Sequence, residues 1–194
     1  MDKWPDLMKG ESLRQLVHAS GIFIVFLTWF LNPVAVMLIC IAIVVFVELI
    51  FRLDKQKNIF FFSEFLRQTK RKDDERGFIY FFLGIILTLF LFQSNIAVAN
   101  ASIIMLLFGD SASTIFGRRF GRHKLPFNKK KTVEGSIAFI VVGFAGALTQ
   151  IPAIPALFGA IFGSLTEAYS PIDDNIPIPI VSGLVMSLII FFMG

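Results

Sequence analysis

The chain has 194 residues, of which 56% are hydrophobic and 24 are phenylalanine, and its mean hydropathy is +0.76. A soluble domain of this length has too little interior to bury so much apolar surface, whereas a bilayer accepts it on every helix face. The formal net charge of +4 does not indicate a nucleic-acid partner. An excess of lysine and arginine is also expected in the cytoplasmic loops of a membrane protein. Composition therefore predicts one integral membrane domain spanning residues 1–194.

Seven apolar runs follow one another along the chain, separated by polar residues, proline or glycine. They cover residues 16–31, 33–51, 78–92, 96–116, 135–149, 153–169 and 177–193. The first run lacks an A-x-A cleavage site and is expected to be a retained helix. Several runs are shorter than the roughly 20 residues needed to cross a bilayer core. Either the helix ends extend into charged sequence, or one segment is a re-entrant loop that enters and leaves the membrane on the same side. We predict an all-α fold, a polytopic membrane helix bundle with about seven transmembrane helices.

Lysine and arginine are confined to alternate connections. Three precede the first run, eight lie in residues 52–76 and seven in residues 118–131, which accounts for all 18. Because positively charged loops stay on the cytoplasmic side during insertion, the N-terminus is predicted to be cytoplasmic. Acidic residues gather at the same face: Asp110, Glu134, Glu167, Asp173 and Asp174. This clustering indicates a functional site that faces the cytoplasm.

The connection after the second run holds a possible further helix. Residues 58–72 place Ile59, Phe62, Phe65 and Leu66 at helical spacing, with charges elsewhere around the helix. This pattern is typical of an interfacial helix on anionic headgroups, and equally of a loop helix packed on the bundle.

The connection between the fourth and fifth runs combines acids, cations and glycines. Phosphoryl transfer uses such a mixture: carboxylates hold Mg²⁺, cations and backbone N–H groups hold phosphate oxygens, and glycines allow close backbone approach. The soluble phosphate-binding motifs G-x-x-x-x-G-K-[ST] and G-x-G-x-x-G are absent from the sequence. A nucleotide site here would be of a kind specific to membrane proteins.

The same stretch resembles the signature of the CTP-dependent polyprenol kinase family, which includes dolichol, phytol and CTP-dependent diacylglycerol kinases. The signature reads D-x-x-A-x-x-x-G-x-x-x-G, then eight residues, then K-K-T-x-E-G. Its fixed positions are matched by Asp110, Gly117, Gly121, Lys130, Lys131, Thr132, Glu134 and Gly135, and Ser113 stands in place of alanine. Shorter family elements are similar to "ESLRQLVHASG", with Arg14 and His18, to "ELIFR", with Glu48 and Arg52, and to "EAYSPIDDNIPIP", with Asp174 and Asn175.

The resemblance implies a set of roles for these residues. Asp110, Glu134, Glu167 and Asp174 are expected to hold Mg²⁺, and one of these carboxylates to activate the acceptor hydroxyl. The nucleotide site is expected to comprise Gly117, Arg118, Arg119, Gly121, Lys130, Lys131, Thr132 and Gly135, and catalysis to depend on Asp110, Glu134, Lys131 and Asp174. Arg14, His18, Glu48, Arg52 and Asn175 are further candidate members of the site.

Several of these residues also have structural explanations. Asp110 is a favourable N-cap for a helix beginning at Ser111. Gly117 and Gly121 have the spacing of helix-packing glycines. Glu134 suits a helix dipole at the start of the fifth helix. Glu48 and Arg52 are spaced i, i+4 and can pair with each other.

The resemblance implies a kinase that transfers the γ-phosphoryl group of CTP to a membrane lipid alcohol. The acceptor expected first is dolichol or another polyprenol, followed by phytol or geranylgeraniol and then by diacylglycerol. A lipid-phosphate cytidylyltransferase would use the same Mg²⁺ and CTP and is the enzymatic alternative. A transporter is the alternative of another class, for which acids deep inside helices are expected.

Overall fold

The computed structural model describes residues 18–57 and 77–193. Arg14 and the predicted helix over residues 58–72 lie outside these ranges. The described part of the chain forms seven helices, and its only β contact is an isolated bridge between Lys124 and Thr132. The helices are α1 (Ile22–Leu27), α2 (Pro33–Lys57), α3 (Gly77–Leu91), α4 (Ile96–Phe120), α5 (Val133–Ala147), α6 (Ala153–Tyr169) and α7 (Pro177–Met193).

Each predicted apolar run coincides with one helix, so the all-α prediction is confirmed for the described residues. Two helices contain an apolar stretch long enough to cross a bilayer, at Pro33–Ile50 in α2 and Ile96–Phe120 in α4. The other helices are shorter than the roughly 20 residues that a bilayer core requires. Seven membrane spans therefore stay a prediction.

The long helix α4 forms the centre of the fold. In its most apolar 18-residue stretch 78% of the residues are buried, whereas in the apolar stretch of α2 22% are buried, so α2 lies at the periphery. All ten residues from Val98 to Leu107 are buried, including the polar Asn100 and Ser102, as expected for a helix surrounded by other helices. Helices α1, α3, α5, α6 and α7 all pack against it.

A wide π turn interrupts α4 at Met105–Gly109, immediately before Asp110. A Cβ atom at Gly109 would lie 2.9 Å from the ring of Phe139, so glycine lets α5 approach at this turn. Such turns occur frequently at functional sites. Asp110 continues the helix with φ −63° and ψ −41° and is therefore not the N-cap of a new helix.

Successive helices α4 to α7 run in alternating directions, and each packs on the next. The end of α4, the start of α5, the end of α6 and the start of α7 consequently meet at one end of the bundle. Asp110 lies ten residues before the last residue of α4, about 15 Å along the helix axis from that end. It therefore reaches the bundle interior below the connecting loops.

Candidate active site

Three carboxylates from distant parts of the chain converge inside the charged end of the bundle. Asp110 of α4, Glu167 of α6 and Asp174 of the loop before α7 each offer an oxygen, and these oxygens lie within 4.8 Å of one another. Asp110 and Glu167 are each only 2% exposed. We call these three residues the acidic cluster. Buried carboxylates at such distances require a compensating cation.

The sequence of α6 explains how Glu167 enters the interior. Small residues at helical spacing form one buried face of α6: Ala156, Gly159, Ala160, Gly163 and Ser164. Glu167 follows Gly163 by four residues and Ser164 by three, so it continues the same face. Close packing along this face, including a 3.1 Å bond from the Ser164 hydroxyl to the Ser136 carbonyl, holds α6 against α5.

Lys131 supplies the positive charge at the acidic cluster. Its Nζ donates hydrogen bonds to Oε1 of Glu167 and, at 3.1 Å, to Oδ2 of Asp174. Burial opposes the charge on this ammonium group, but the carboxylates of Asp174, Glu167 and Asp110 outweigh burial and raise the pKa of Lys131. Lys131 is therefore protonated at neutral pH.

A short hairpin in the loop between α4 and α5 positions Lys131. The backbone N–H of Leu125 donates to the carbonyl of Lys131 at 3.2 Å, and that of Val133 donates to the carbonyl of His123 at 2.9 Å. The side chain of Asn128 donates to the carbonyl of Ala168 at 2.8 Å. The hairpin is thereby attached to the end of α6, close to Glu167.

His18 approaches the acidic cluster from the helical turn just before α1. Its Nδ1 lies 3.7 Å from Oδ2 of Asp110, and its ring packs on Phe81 with centroids 4.5 Å apart. A Cβ atom at Gly21 would lie 2.5 Å from the side chain of Leu107, so this glycine lets α1 reach the π turn of α4. His18 is 4% exposed and thus belongs to the interior of the site.

Ser113 is the site residue that sequence reasoning undervalued. Its hydroxyl donates a 2.7 Å hydrogen bond to Oε1 of Glu167, the same oxygen that Lys131 contacts. Ser113 is also the position where the chain departs from the family signature. That departure was the available signal, since a hydroxyl introduced one turn beyond Asp110 can reach whatever lies beside Asp110.

The glycines of the signature provide close packing between α4 and α5. Thr132 caps α5 by accepting a 3.2 Å bond from the N–H of Gly135. A Cβ atom would lie 3.0 Å from the Thr132 hydroxyl at Gly117, and 2.9 Å from the Ser113 carbonyl at Gly135. At Gly121, a Cβ atom would lie 2.6 Å from Cγ2 of Thr132. Helix packing thus accounts for these glycines, and their approach to phosphate stays a prediction.

Other predicted site residues lie outside the acidic cluster. Arg118, Arg119 and Lys130 are exposed at the same end. Asn175 is 3% exposed, and a Cβ atom at Gly84 of α3 would lie 2.2 Å from its carbonyl oxygen, so Asn175 anchors the Asp174 loop on α3. The predicted pair of Glu48 and Arg52 is present: Nε of Arg52 donates to Oε1 of Glu48 at 3.1 Å.

Glu134 pairs with His123 and is not among the three clustered carboxylates. Its Oε1 lies 2.7 Å from Nδ1 of His123, and it accepts weaker bonds from the His123 N–H. Hydrogen bonds from its own backbone N–H and from the His123 side chain lower the pKa of Glu134 to about 2. Glu134 precedes the apolar run of α5 and therefore connects the hairpin to the helix start.

This lowered pKa predicts an acid-dependent loss of stability. An unfolded glutamate has a pKa of about 4.3, so Glu134 stabilises the fold fully above that pH and loses this contribution as the pH falls toward 2. We expect Glu134→Gln to lower the unfolding temperature by an amount that is constant above about pH 5 and vanishes toward pH 2. Thermal unfolding of both proteins across this range measures the difference. A difference that grows on acidification would contradict the assignment.

The acidic cluster fits Mg²⁺ chemically. Magnesium prefers oxygen ligands and commonly takes one or two carboxylates together with substrate phosphates. Oε2 of Glu167 is buried and has no hydrogen-bond partner among the described residues, which leaves it available as a ligand. Asp110, Glu167 and Asp174 are therefore the residues that would hold the ion.

Comparison with known proteins identifies relatives. The chain is 30% identical to a probable chloroplastic phytol kinase of Triticum aestivum over 63% of this chain and 47% of that protein. It is 33% identical to a chloroplastic farnesol kinase of Arabidopsis thaliana over 63% of this chain and 38% of that protein. An uncharacterized protein of Methanocaldococcus jannaschii is 30% identical over 91% of this chain and 93% of its own length.

The chain spans less than half the length of the two plant kinases that it matches. No family model and no solved structure matches it. The match to the archaeal protein is nearly end to end, and the two plant relatives are named as kinases of prenyl alcohols, in agreement with the family that the signature indicates. The chain belongs to the family of CTP-dependent polyprenol kinases.

Proposed function

We propose that this protein is an integral membrane kinase that transfers the γ-phosphoryl group of CTP to the hydroxyl of an isoprenoid alcohol. The observation that carries the proposal is the buried acidic cluster with Lys131 inside it. Buried, converging carboxylates with a lysine are suited to a metal–nucleotide complex and serve poorly as stabilising contacts. CTP as the donor follows from the family signature.

The residues of the site have separate roles in an in-line phosphoryl transfer. Mg²⁺, when bound, would neutralise the phosphate oxygens. Lys131 is placed to stabilise the negative charge that develops on the transferred group. The acceptor hydroxyl loses its proton to a carboxylate of the cluster while its oxygen bonds to the γ-phosphorus, and the bond to the β-phosphate oxygen breaks to release CDP. His18, whose Nδ1 lies 3.7 Å from Oδ2 of Asp110, is placed to orient that carboxylate.

Exposed apolar side chains support a membrane location. Large hydrophobic residues on the outer faces of α2 and α7 are 50% to 81% exposed: Leu38, Val45, Phe46, Leu49, Leu184, Leu188, Phe191 and Phe192. Water disfavours so much apolar surface, whereas lipid covers it. With the lysine and arginine distribution, these faces support a bundle of about seven spans whose acidic cluster opens to the cytoplasm.

The names of the relatives favour a prenyl alcohol such as phytol or farnesol over the dolichol that the signature placed first. An apolar cavity of about 200 Å³ lies between α1, α2 and α3 and is suited to part of such a chain. Its lining includes Phe23, Ile24, Leu27, Ile39, Cys40 and Phe82. Phe82 packs edge-on against Phe81, and Phe81 contacts His18, so a continuous row of packed rings leads from the cavity toward Asp110.

Filling this cavity is expected to impair use of the lipid specifically. Cys40→Phe adds a ring to the cavity lining and should raise the KM for the prenyl alcohol about tenfold, with little change in the KM for CTP. Leu38→Phe is the matched control, because Leu38 lies on the same helix and is 61% exposed. Steady-state kinetics with each substrate varied in turn measures both constants. Equal increases in the two constants would contradict a lipid site here.

The proposed substrates are tested directly with purified protein in lipid nanodiscs and Mg²⁺. CTP, ATP, GTP and UTP are each supplied with farnesol, geranylgeraniol, phytol, dolichol and diacylglycerol, and phosphorylated lipid is identified by mass spectrometry. The proposal predicts a product with CTP and at least one prenyl alcohol. A product with diacylglycerol alone, or no product in any combination, would contradict it.

A further inference from the structure

We propose that Lys131 occupies the cation position of the acidic cluster when no metal is bound, and that the arriving divalent ion displaces it toward the nucleotide phosphates. This inference rests on the proposed function only in naming the phosphates as its destination. Displacement from the carboxylates can be tested without nucleotide or lipid.

Lys131 and a divalent ion compete for the same oxygens. The ammonium group contacts Oε1 of Glu167 and Oδ2 of Asp174, two members of the acidic cluster. A magnesium ion bound at about 2.0–2.1 Å from its ligands would lie among these oxygens, which are within 4.8 Å of one another. Two positive ions this close repel each other strongly in a buried site. Occupation by one therefore weakens occupation by the other.

The burial of the cluster explains why a resident cation is needed. Asp110 and Glu167 are each 2% exposed, and without a positive partner their charges would be uncompensated. Glu167 also keeps a buried oxygen, Oε2, with no hydrogen-bond partner among the described residues. Lys131 thus compensates the cluster without saturating it, and a ligand oxygen remains for an incoming ion.

The position of Lys131 allows it to leave. Its side chain is 24% exposed, whereas that of Glu167 is 1% exposed, so the lysine enters the cluster from its outer side. The flexible four-carbon stem can redirect the ammonium group while the hairpin backbone stays fixed. Exposed Lys130, Arg118 and Arg119 lie at this same end of the bundle, where a nucleotide would arrive.

Metal affinity in the absence of nucleotide tests the competition. Lys131→Met removes the charge at similar length, and it should bind Mn²⁺, a spectroscopic probe for Mg²⁺, at least about tenfold more tightly than the natural protein. Lys131→Arg keeps the competing charge and should not tighten binding. Lys129→Met, at an exposed lysine of the same loop, is the matched control and should leave affinity unchanged. Electron paramagnetic resonance detects free Mn²⁺ and so measures the Mn²⁺ affinity of the natural protein and of the three variants.

Unchanged or weaker Mn²⁺ binding by Lys131→Met, in protein whose thermal unfolding is still cooperative, would overturn the proposal. A second readout uses the natural protein and an amine-reactive label quantified at Lys131 by mass spectrometry. Labelling should rise when Mg²⁺ is added alone, because the ammonium group leaves the carboxylates. Labelling that stays constant or falls on addition of Mg²⁺ would also overturn the proposal. Neither readout requires kinase activity, so failure of the proposed function would be seen separately.

Discussion

Replacing Asp110 with asparagine is expected to lower the rate of phosphoryl transfer about a hundred- to a thousandfold. Asparagine has the same shape but carries no negative charge, and Asp110 contributes its charge at a position that is 2% exposed. In such an environment, a fixed charge acts on a bound metal ion far more strongly than it would in water. The remaining activity should need more Mg²⁺ for half-maximal rate, because one metal ligand is weakened.

Asp173→Asn is the matched control for this experiment. Asp173 lies beside Asp174 but outside the acidic cluster, and its Oδ1 accepts bonds from Asn175 that an asparagine oxygen can also accept. The activity of Asp173→Asn should stay within about threefold of the natural protein, because the half-buried Asp173 contributes no oxygen to the acidic cluster. Full activity in Asp110→Asn, or equal losses in the two variants, would remove Asp110 from the site.

Glu167→Gln is expected to cause a comparable loss of activity together with a loss of stability. The substitution weakens a metal ligand and removes the negative charge of the main partner of Lys131, leaving this partly buried ammonium with Asp174 as its only directly contacting carboxylate. Because Asp174 remains, the free energy of unfolding should fall by about 1–3 kcal/mol, less than for a charge left wholly unpaired. Activity assays and denaturant unfolding of the same preparations measure the two effects.

Thr166→Val separates the role of Glu167 from general disturbance of α6. The Thr166 hydroxyl donates to the Phe162 carbonyl on the neighbouring face, away from the cluster. This variant should retain activity and lose little stability. If Glu167→Gln is destabilised but retains its activity at saturating Mg²⁺, then Glu167 serves the fold and the metal assignment is wrong.

Hydropathy and charge predicted the order and position of the helices because both follow from local sequence. The apolar runs near residues 96–116 and 153–169 became α4 and α6, and spacing correctly paired Glu48 with Arg52. Asp110 and Glu167 were correctly placed at one end, because alternating helices bring these segments together. These predictions depend only on the spacing of residues along a helix and on the alternating direction of successive helices, and both can be read from the sequence.

Contacts that depend on tertiary distances were beyond the reach of sequence patterns. The hairpin directs Lys131 into the acidic cluster, whereas Glu134, only three residues later, turns to His123. No local sequence pattern predicts that these two side chains point to different places, because their orientations are determined by the hairpin and by its attachment to α6. The π turn before Asp110 was likewise invisible, since an aspartate after an apolar run is also typical of an N-cap.

The most direct test of the central claim follows each phosphate of CTP separately. Purified protein with Mg²⁺ and a prenyl alcohol is supplied with CTP labelled at either the α or the γ phosphate, and the same two nucleotides are then offered with the prenyl monophosphate. The account predicts that label from the γ position enters the alcohol, that label from the α position enters neither lipid, and that Asp110→Asn transfers almost none. Label from the α position in the monophosphate would contradict it and identify a cytidylyltransferase.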